Sequence, residues 1–451
     1  MLDTVISSIY RYVGCCIGRG FGGGSRLKPM NIAEKILARA SGRSYVEPGE
    51  IVDAVVDRVM FHDLTGPMTL KVFEEMGGGL VWDPDRVVVV FDHIVPACSI
   101  TAAENHVKLR RFVENQGIKH FYDVGRGGIC HQVMVEKGHV LPGELVIGAD
   151  SHTCMYGALG AFATGVGATD MAATLLTGRI WLRVPETIIV KYTGRMPEYL
   201  SGKDLILYTI GVIGADGANY KAVVYSGDVV SHLSMDDRLT MSNMAVEMGA
   251  KTGIFEPDDV TLTYLKGRAS SGFALMRSDE GASYSEEYEL DVSGMEPQVA
   301  CPYRVDNVKP VSEVEGIHVD QAFIGSCTNG RLSDLRIAAR ILKGRRVDKG
   351  TRLIVIPASQ DVYREALREG LIDVLLEAGA MICNPTCGPC IGVHLGVLAP
   401  GEVCIASINR NFIGRMGSRE SKVYLASPAT VAASSIEGKI TDPRRYLGGA
   451  V

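Results

Sequence analysis

Three cysteines constrain what this chain can fold into more than any other feature of its sequence. Cys327 stands in the stretch Gly-Ser-Cys-Thr-Asn, and Cys387 and Cys390 enclose the stretch Cys-Gly-Pro-Cys. Three thiolates can hold a [4Fe–4S] cluster, which normally takes four, so that one iron stays open to a substrate. The fold must then bring Cys327 next to a motif that lies far along the chain.

The same cysteines leave other centres open. A Cys-x-x-Cys motif also binds zinc or carries out thiol redox chemistry. A tetrahedral zinc site needs a fourth ligand, and either Cys383 or His394 can supply one. Spacing alone therefore predicts a metal or redox centre, with an iron–sulfur cluster and a zinc site as the two leading interpretations.

Short β-rich runs alternate with helical patterns along most of the chain, which predicts an α/β fold. We expect three α/β units, at residues 30–185, 186–300 and 301–451, with the cluster cysteines in the third. Because Met30 opens an amphipathic helical pattern, residues 1–29 are interpreted as a flexible extension or as an artefact of the assigned start.

Composition narrows the class of protein. Of the 451 residues, 46% are hydrophobic and 22% are charged, which is ordinary for a globular protein. A net charge of -6 without a Lys/Arg-rich run argues against nucleic-acid binding. Eleven cysteines form no regular disulfide framework, which predicts a reducing, cytoplasmic location. The small apolar stretch 156–177 is interrupted by Asp170, so no membrane span is expected.

Histidines and carboxylates stand where predicted strands end, which is where open α/β sheets place their sites. A carboxylate fixes the tautomer of a neighbouring histidine and raises its pKa, which suits a general acid. The candidates of this kind are Asp92, His93, His131, Asp150, Ser151 and His152. Each histidine alone is more simply interpreted as a structural hydrogen-bonded group, and the three cysteines weigh against that interpretation.

A second polar motif, Asn409-Arg410-Asn411, follows a predicted strand and is joined by Arg415. Two guanidinium groups suit bidentate binding of substrate carboxylates. His62 follows the stretch Asp57-Arg-Val-Met-Phe61 and is expected to reach the same pocket. Ordinary surface ion pairs for the arginines, and a solvated loop for His62, are the alternative interpretations.

Together these motifs resemble those of the aconitase superfamily over nearly all of residues 30–451. The resemblance rests on the motifs at residues 91–93, 148–153, 325–331, 387–390 and 409–412. It is strongest toward the large subunits of enzymes that act on isopropylmalate or homocitrate. The resemblance implies three α/β/α domains of aconitase type around one central [4Fe–4S] cluster, without the swivelling fourth domain. It also implies a separate small subunit that supplies that domain.

The resemblance also assigns roles to residues. It assigns the cluster ligands as Cys327, Cys387 and Cys390. It assigns two acid–histidine pairs as Asp92 with His93 and Asp150 with His131. It assigns contacts with substrate or cluster to His62, Ser151, Asn409, Arg410 and Arg415. The implied activity is a hydro-lyase that removes water from a 2-hydroxy di- or tricarboxylate and adds it back at the neighbouring carbon. Isopropylmalate, and so leucine biosynthesis, is favoured over homocitrate.

One position departs from the family pattern. In the family a Glu, in a phrase ending Glu-Tyr, partners the histidine equivalent to His152. Here the corresponding phrase has Val224 before Tyr225, so His152 is expected to lack its acid partner. A weakly active paralogue is therefore one alternative, and an iron-sensing or RNA-binding protein is another.

Overall fold

The structure is a computed structural model that describes residues 28–269 and 271–447. The predicted extension at residues 1–29 lies outside the described residues except for Lys28 and Pro29. Within the described ranges, no helix is long and apolar enough to cross a membrane. The nine cysteines in these ranges are all free thiols.

The first part of the described chain is built on a five-stranded parallel sheet flanked by a two-stranded ribbon. Its strands are β1 Ile51–Val55, β2 Arg58–His62, β3 Val87–Val90, β4 His120–Tyr122, β5 Leu145–Gly148, β6 Phe162–Gly165 and β7 Arg179–Arg183. Its helices are α1 Ile32–Ser41, α2 Gly66–Glu75, α3 Ile100–Gln116, α4 Cys130–Glu136 and α5 Ala168–Thr177. The sheet order is β4-β3-β2-β5-β6, and β1 pairs antiparallel with β7. Strands β3 and β5 are buried along their whole length, which explains their continuous apolar runs.

A four-stranded parallel sheet follows. Its strands are β8 Thr187–Thr193, β9 Ala222–Ser226, β10 Thr252–Phe255 and β11 Glu286–Asp291, in the order β10-β9-β8-β11. The helices of this part are α6 Gly202–Ile213, α7 Met235–Asn243 and α8 Asp259–Leu265. Ser234 is the N-cap of helix α7, and its side chain forms a capping box with Asp237.

The last part contains a seven-stranded mixed sheet. Its strands are β12 Gln298–Ala300, β13 Val308–Pro310, β14 Gln321–Ile324, β15 Arg352–Val355, β16 Met381–Ile382, β17 Val403–Ala406 and β18 Lys422–Leu425. Its helices are α9 Val311–Val314, α10 Leu332–Leu342, α11 Gln360–Arg368, α12 Leu371–Ala378, α13 Pro428–Glu437 and α14 Arg444–Leu447. The order is β13-β12-β18-β17-β14-β15-β16; β12 pairs antiparallel with both β13 and β18, and the other strand pairs are parallel.

The predicted α/β class is confirmed. The three predicted domain boundaries stay predictions, although β12, which the prediction placed in the second unit, hydrogen-bonds into the third sheet. One continuous buried cluster contains Val88, Val223 and Phe323, one residue from each large sheet. The three sheets therefore pack around a common centre.

The predicted site motifs begin where parallel strands end. The residues that end or follow β2, β3, β5, β14 and β17 are, in that order, His62, Asp92, Asp150, Cys327 and Asn409. Because carboxyl ends of parallel strands lie at one edge of a sheet, this topology gathers residues that are far apart in sequence.

Candidate active site

The three cysteines predicted as ligands lie in one buried pocket. Cys327 and Cys387 are each 6% exposed and Cys390 is 2% exposed. Ser326 Oγ lies 3.8 Å from the sulfur of Cys327 and 3.6 Å from the sulfur of Cys390. The side chain of Asn409 also contacts both sulfurs, at 3.5 Å from Cys327 and 3.7 Å from Cys390. The fold therefore brings Cys327 beside the distant Cys-x-x-Cys motif.

A second asparagine, which the sequence analysis did not single out, also contacts the cysteine centre. Asn243, the last residue of α7, donates from Nδ2 to Cys327 Sγ at 3.1 Å. Its Oδ1 accepts from Thr328 Oγ1 at 3.3 Å and from Asn409 Nδ2 at 3.2 Å. Hydrogen bonds to a sulfur stabilise its negative charge, so this geometry suits a metal-bound thiolate.

The spacing of the cysteines bears on the zinc alternative. Two sulfurs bound to one zinc at ~2.3 Å would lie less than ~4 Å apart. Among the described residues, the groups whose ligand atoms all lie within 4.8 Å of one another include Cys327 with His131 and His152, but not Cys327 with Cys387 and Cys390. His394, a candidate fourth ligand, is engaged elsewhere, since its Nε2 lies 2.6 Å from the carbonyl oxygen of His93. The three cysteines therefore do not by themselves form a single-ion site in this structure.

Three cationic side chains bind the loops that form this centre. Lys203 is fully buried. Arg331 is 2% exposed, and its guanidinium donates to the carbonyl oxygens of Cys327 and Thr328 at 2.8 and 2.7 Å. Arg415 places Nη2 3.5 Å from the sulfur of Cys390, and its buried Nε has no hydrogen-bond partner. Within the described part of the chain, none of these cations forms an ion pair with a carboxylate. Such a pocket is suited to a group with net negative charge.

The first acid–histidine pair is formed by Asp92 and His93. His93 Nδ1 lies 2.7 Å from Asp92 Oδ1, and Asp92 Oδ2 accepts from the backbone N–H of Cys130 at 2.7 Å. Burial alone would lower the pKa of His93, but the carboxylates of Asp92, Asp150 and Asp63 raise it to about 9. The imidazole is therefore protonated at neutral pH.

Asp63 fixes the loop that carries this pair. Its completely buried carboxylate accepts the backbone N–H groups of Asp92, His93 and Ile94 at 2.8, 2.9 and 2.7 Å. On the other side of the loop, the carbonyl oxygen of Asp92 accepts from the backbone N–H of Cys387 at 2.8 Å. The histidine loop is thus tied directly to the cysteine motif.

Asp150 joins several histidines. Its carboxylate lies 2.7 Å from His131 Nε2 and accepts the backbone N–H of His152 at 2.8 Å. Although burial would raise the pKa of Asp150, His131 and the neighbouring histidines hold it well below its usual range. Burial lowers the pKa of His131, against the opposing influence of Asp150. Asp150 is therefore the shared anion of the histidine cluster.

The expectation that His152 lacks an acid partner is wrong. His152 Nε2 lies 2.9 Å from Glu247 Oε1, and Arg410 Nε donates to the same carboxylate at 2.8 Å. Val224 instead lies in the middle of β9, where its side chain is buried in the apolar core. The alternative of a paralogue weakened at Val224 thereby loses its basis.

Glu247 belongs to the 3₁₀ helix Met244–Met248, which directly follows α7. Packing of this turn against the 3₁₀ helix Ser151–Leu159 brings the carboxylate to His152. The phrase Asn243-Met-Ala-Val-Glu247 carries two contact residues that the sequence analysis did not single out. No local pattern marks them, because both contacts arise only from packing of the folded chain.

His62 and Ser151 also lie at the pocket. The ring of His62 stacks on that of His93, with centroids 3.8 Å apart and 10° between the planes. Leu64 N–H donates to His62 Nδ1 at 3.3 Å, so a neutral His62 ring carries its hydrogen on Nε2. That buried Nε2 lies 3.6 Å from Asp150 Oδ2, just beyond hydrogen-bond distance. Ser151 Oγ lies 3.5 Å from His152 Nδ1.

Similar proteins of known name cover nearly the whole chain. The 3-isopropylmalate dehydratase large subunit 1 of Methanopyrus kandleri is 60% identical over 416 residues, which are 92% of this chain and 99% of that protein. A probable 3-isopropylmalate dehydratase large subunit of Methanothermobacter thermautotrophicus is 57% identical, with coverages of 92% and 99%. A probable methanogen homoaconitase large subunit of the same organism is 53% identical, with coverages of 93% and 99%.

Two further comparisons concern the fold and the family. The holo-form crystal structure of aconitase X from Thermococcus kodakaraensis has a TM-score of 0.47 and 12% identity, and the match covers 84% of this chain and 88% of that one. The model of the aconitase family (aconitate hydratase) matches residues 34–438. Since that match spans most of the sequence, including every motif described above, the chain belongs to the aconitase family.

Proposed function

We propose that this chain is the large, cluster-bearing subunit of a hydro-lyase that moves a hydroxyl group between neighbouring carbons of a dicarboxylate, with 3-isopropylmalate as substrate. The observation that carries the proposal is the convergence of three acid–histidine pairs and three cysteines in one buried pocket. The large-subunit relatives at 60% and 57% identity support the same substrate. Leucine biosynthesis is then the pathway, and the free thiols agree with a cytoplasmic location.

The proposed cofactor is one [4Fe–4S] cluster held by Cys327, Cys387 and Cys390. The residues present fit it, because the cations at the pocket lack carboxylate partners and asparagine amides donate to a ligand sulfur. Three thiolates around an iron–sulfur core give a net negative assembly that such a pocket stabilises. When bound, the cluster would supply a Lewis acid for the substrate hydroxyl and an adjacent carboxylate.

His93 is the proposed general acid. Its Nδ1 faces Asp92, so its Nε2 carries the proton that is delivered to the departing hydroxyl. The raised pKa, about 9, keeps that proton in place at neutral pH until the leaving oxygen becomes more basic than the imidazole. The stacked ring of His62 and the loop anchor Asp63 limit rotation of the imidazole.

Substrate carboxylates are proposed to bind Arg410 and Arg415. Arg410 uses Nε for Glu247, which leaves its two Nη groups to form a bidentate contact. The buried Nε of Arg415 lacks a partner in the described chain, as expected of a donor that awaits a ligand, whereas Nε2 of His62 faces Asp150 Oδ2 at 3.6 Å. Glu247 orients His152 and Arg410 together, so one carboxylate positions both groups.

A separate small subunit is the proposed partner, as the names of the large-subunit relatives suggest. Apolar side chains between 39% and 50% exposed lie on the two loops that follow the cysteine and arginine motifs, and they are Val393, Leu395, Val397, Phe412 and Ile413. The loops lie side by side, since Leu398 N–H donates to the carbonyl oxygen of Met416 at 2.8 Å. A partner that covers them would exclude water from the pocket and bring the base that removes the carbon-bound proton.

Anaerobic purification with the co-expressed small subunit tests this function. We expect about four irons per chain, a broad absorbance near about 400 nm and turnover of 3-isopropylmalate. Cys387→Ser should abolish the absorbance and the turnover, whereas Cys383→Ser, at a half-buried cysteine outside the centre, should retain both. Zinc in place of iron would refute the cluster. Turnover of homocitrate alone would favour the homoaconitase activity suggested by the relative at 53% identity.

A further inference from the structure

Lys203 is a charged side chain that the proposed reaction does not use, yet it is completely buried. It lies in the first turn of α6 and reaches across to the end of β17 in the third sheet. Its Nζ donates to the carbonyl oxygens of Ser407 at 3.1 Å and Ile408 at 2.5 Å. Those carbonyls directly precede Asn409, whose side chain contacts two of the ligand sulfurs.

The ammonium group of Lys203 has no carboxylate within ion-pair distance. Among the described residues, no acidic side chain lies within 4 Å of Nζ. The adjacent Asp204 is occupied elsewhere, since its carboxylate accepts from Ser201 Oγ at 2.9 Å and from the backbone N–H of Gln298 at 3.1 Å. Burying a charge without a partner costs free energy. Burial accordingly lowers the pKa of Lys203 to about 7, although the negative charges of Cys390 and, more weakly, of Asp204 and Asp334 act in the opposite direction.

We propose that Lys203 is the buried counter-charge of the cysteine-bound cluster, an inference that rests on the cluster assigned under the proposed function. A net negative group at the three cysteines would compensate the ammonium, and the ammonium would in turn stabilise that group. The coupling is reciprocal: the bound cluster stabilises the charged ammonium by the same free energy by which the ammonium stabilises the bound cluster. Lys203 is thus a positioning and charge-balancing residue that holds the backbone before Asn409.

This role has two measurable consequences. Removal of the positive charge should weaken retention of the cluster more than it weakens the fold. It should also make the reduction potential of the cluster more negative, because an added electron is then less well stabilised. A side chain that only clamped two carbonyl groups would destabilise the protein equally with and without the cluster.

The experiment compares Lys203→Met with Leu207→Ala, a cavity-forming change at a fully buried residue of the same helix. Cluster-loaded and metal-free forms are prepared anaerobically, and thermal unfolding, iron release to a chelator and reduction potential are measured. We expect Lys203→Met to release iron ~10–100-fold faster, as for other residues that support a metal site from behind its ligands. Its potential should fall, and its loaded form should lose more stability than its metal-free form. Leu207→Ala should destabilise both forms alike.

The experiment distinguishes failure of the counter-charge proposal from failure of the cluster assignment. Equal destabilisation of both forms of Lys203→Met, with unchanged iron release and potential, would overturn the counter-charge and leave the cluster assignment intact. A wild-type protein that takes up no iron would overturn the cluster itself, and the counter-charge with it. Lys203→Gln, which is neutral but keeps an N–H donor, provides the same comparison if Lys203→Met does not fold.

Discussion

Two acid–histidine pairs of this pocket have similar geometry and opposite origins in the sequence. His93 and Asp92 are chain neighbours, with 2.7 Å between Nδ1 and Oδ1. His152 and Glu247 are 95 residues apart, with 2.9 Å between Nε2 and Oε1. The first pair can be predicted from a strand end, whereas the second exists only because two 3₁₀ helices pack together. When a sequence motif lacks the expected acid, it therefore does not follow that the histidine lacks an acid partner in the folded protein.

The two pairs also differ in their electrostatics. Three carboxylates act on His93 and raise its pKa to about 9, so the His93 ring of this pair is protonated at neutral pH. Glu247 divides its carboxylate between His152 and the cation Arg410. Burial would raise the pKa of Glu247, but these two partners keep it below its usual value. The second pair therefore orients groups, and we expect its loss to cost less.

Asp92→Asn should have the largest effect. Without the negative charge, His93 loses the stabilisation of its protonated form, and the rate constant kcat should fall ~1,000-fold, within the range of general acid catalysis. Steady-state kinetics of the reconstituted enzyme measure it. Asp123→Asn, at an acid that follows β4 and pairs with Arg110, is the control and should stay within ~2-fold. A loss below about tenfold for Asp92→Asn would remove His93 as the general acid.

Val224→Glu tests whether position 224, rather than Glu247, is the place for the acid partner of His152. If Val224 stood in place of a missing acid, the change would raise turnover. Because its side chain is buried within β9, we expect instead a loss of about 3 kcal/mol in the free energy of unfolding, measured by chemical denaturation. Val55→Glu, at a 40% exposed strand position, should change it by less than about 0.5 kcal/mol. Higher turnover in Val224→Glu would restore the original interpretation.

Glu247→Gln tests the second pair directly. Gln keeps one acceptor oxygen but replaces the other with a donor, so it cannot orient His152 and Arg410 as a carboxylate does. We expect kcat/KM to fall ~100-fold, with part of the loss in KM because Arg410 is proposed to bind substrate. Glu34→Gln, at a buried acid in α1 far from the pocket, should leave kinetics unchanged. Unaltered kcat/KM in Glu247→Gln would show that His152 needs no acid.

The limits of prediction from sequence follow the same division. The strand-end motifs, the cysteine ligands proposed here and the local pair at Asp92 could be recognised because strand, turn and side chain are adjacent in the chain. Glu247 and Asn243 escaped because their contacts depend on how the end of α7 packs against the 3₁₀ helix Ser151–Leu159 and the loop of Cys327. The buried cation Lys203 escaped for a related reason, since a lysine in the first turn of a helix is ordinarily solvated.

Asp63→Asn gives the smallest effect and the sharpest test of the first pair. Asn retains one oxygen for the N–H groups of Asp92 and His93, but its amide cannot accept from Ile94, so the loop should loosen. The change also removes one of the carboxylates that raise the pKa of His93. A general acid works only while protonated, so activity falls as pH rises through that pKa. We expect a ~10-fold lower kcat, a nearly unchanged KM and a high-pH limb of the pH–rate profile shifted to lower pH.

Asp57→Asn, at an acid that accepts the backbone N–H of Leu145 outside the pocket, should leave the high-pH limb in place. If kcat falls in Asp63→Asn while the limb does not move, Asp63 holds the loop without tuning the proton on His93.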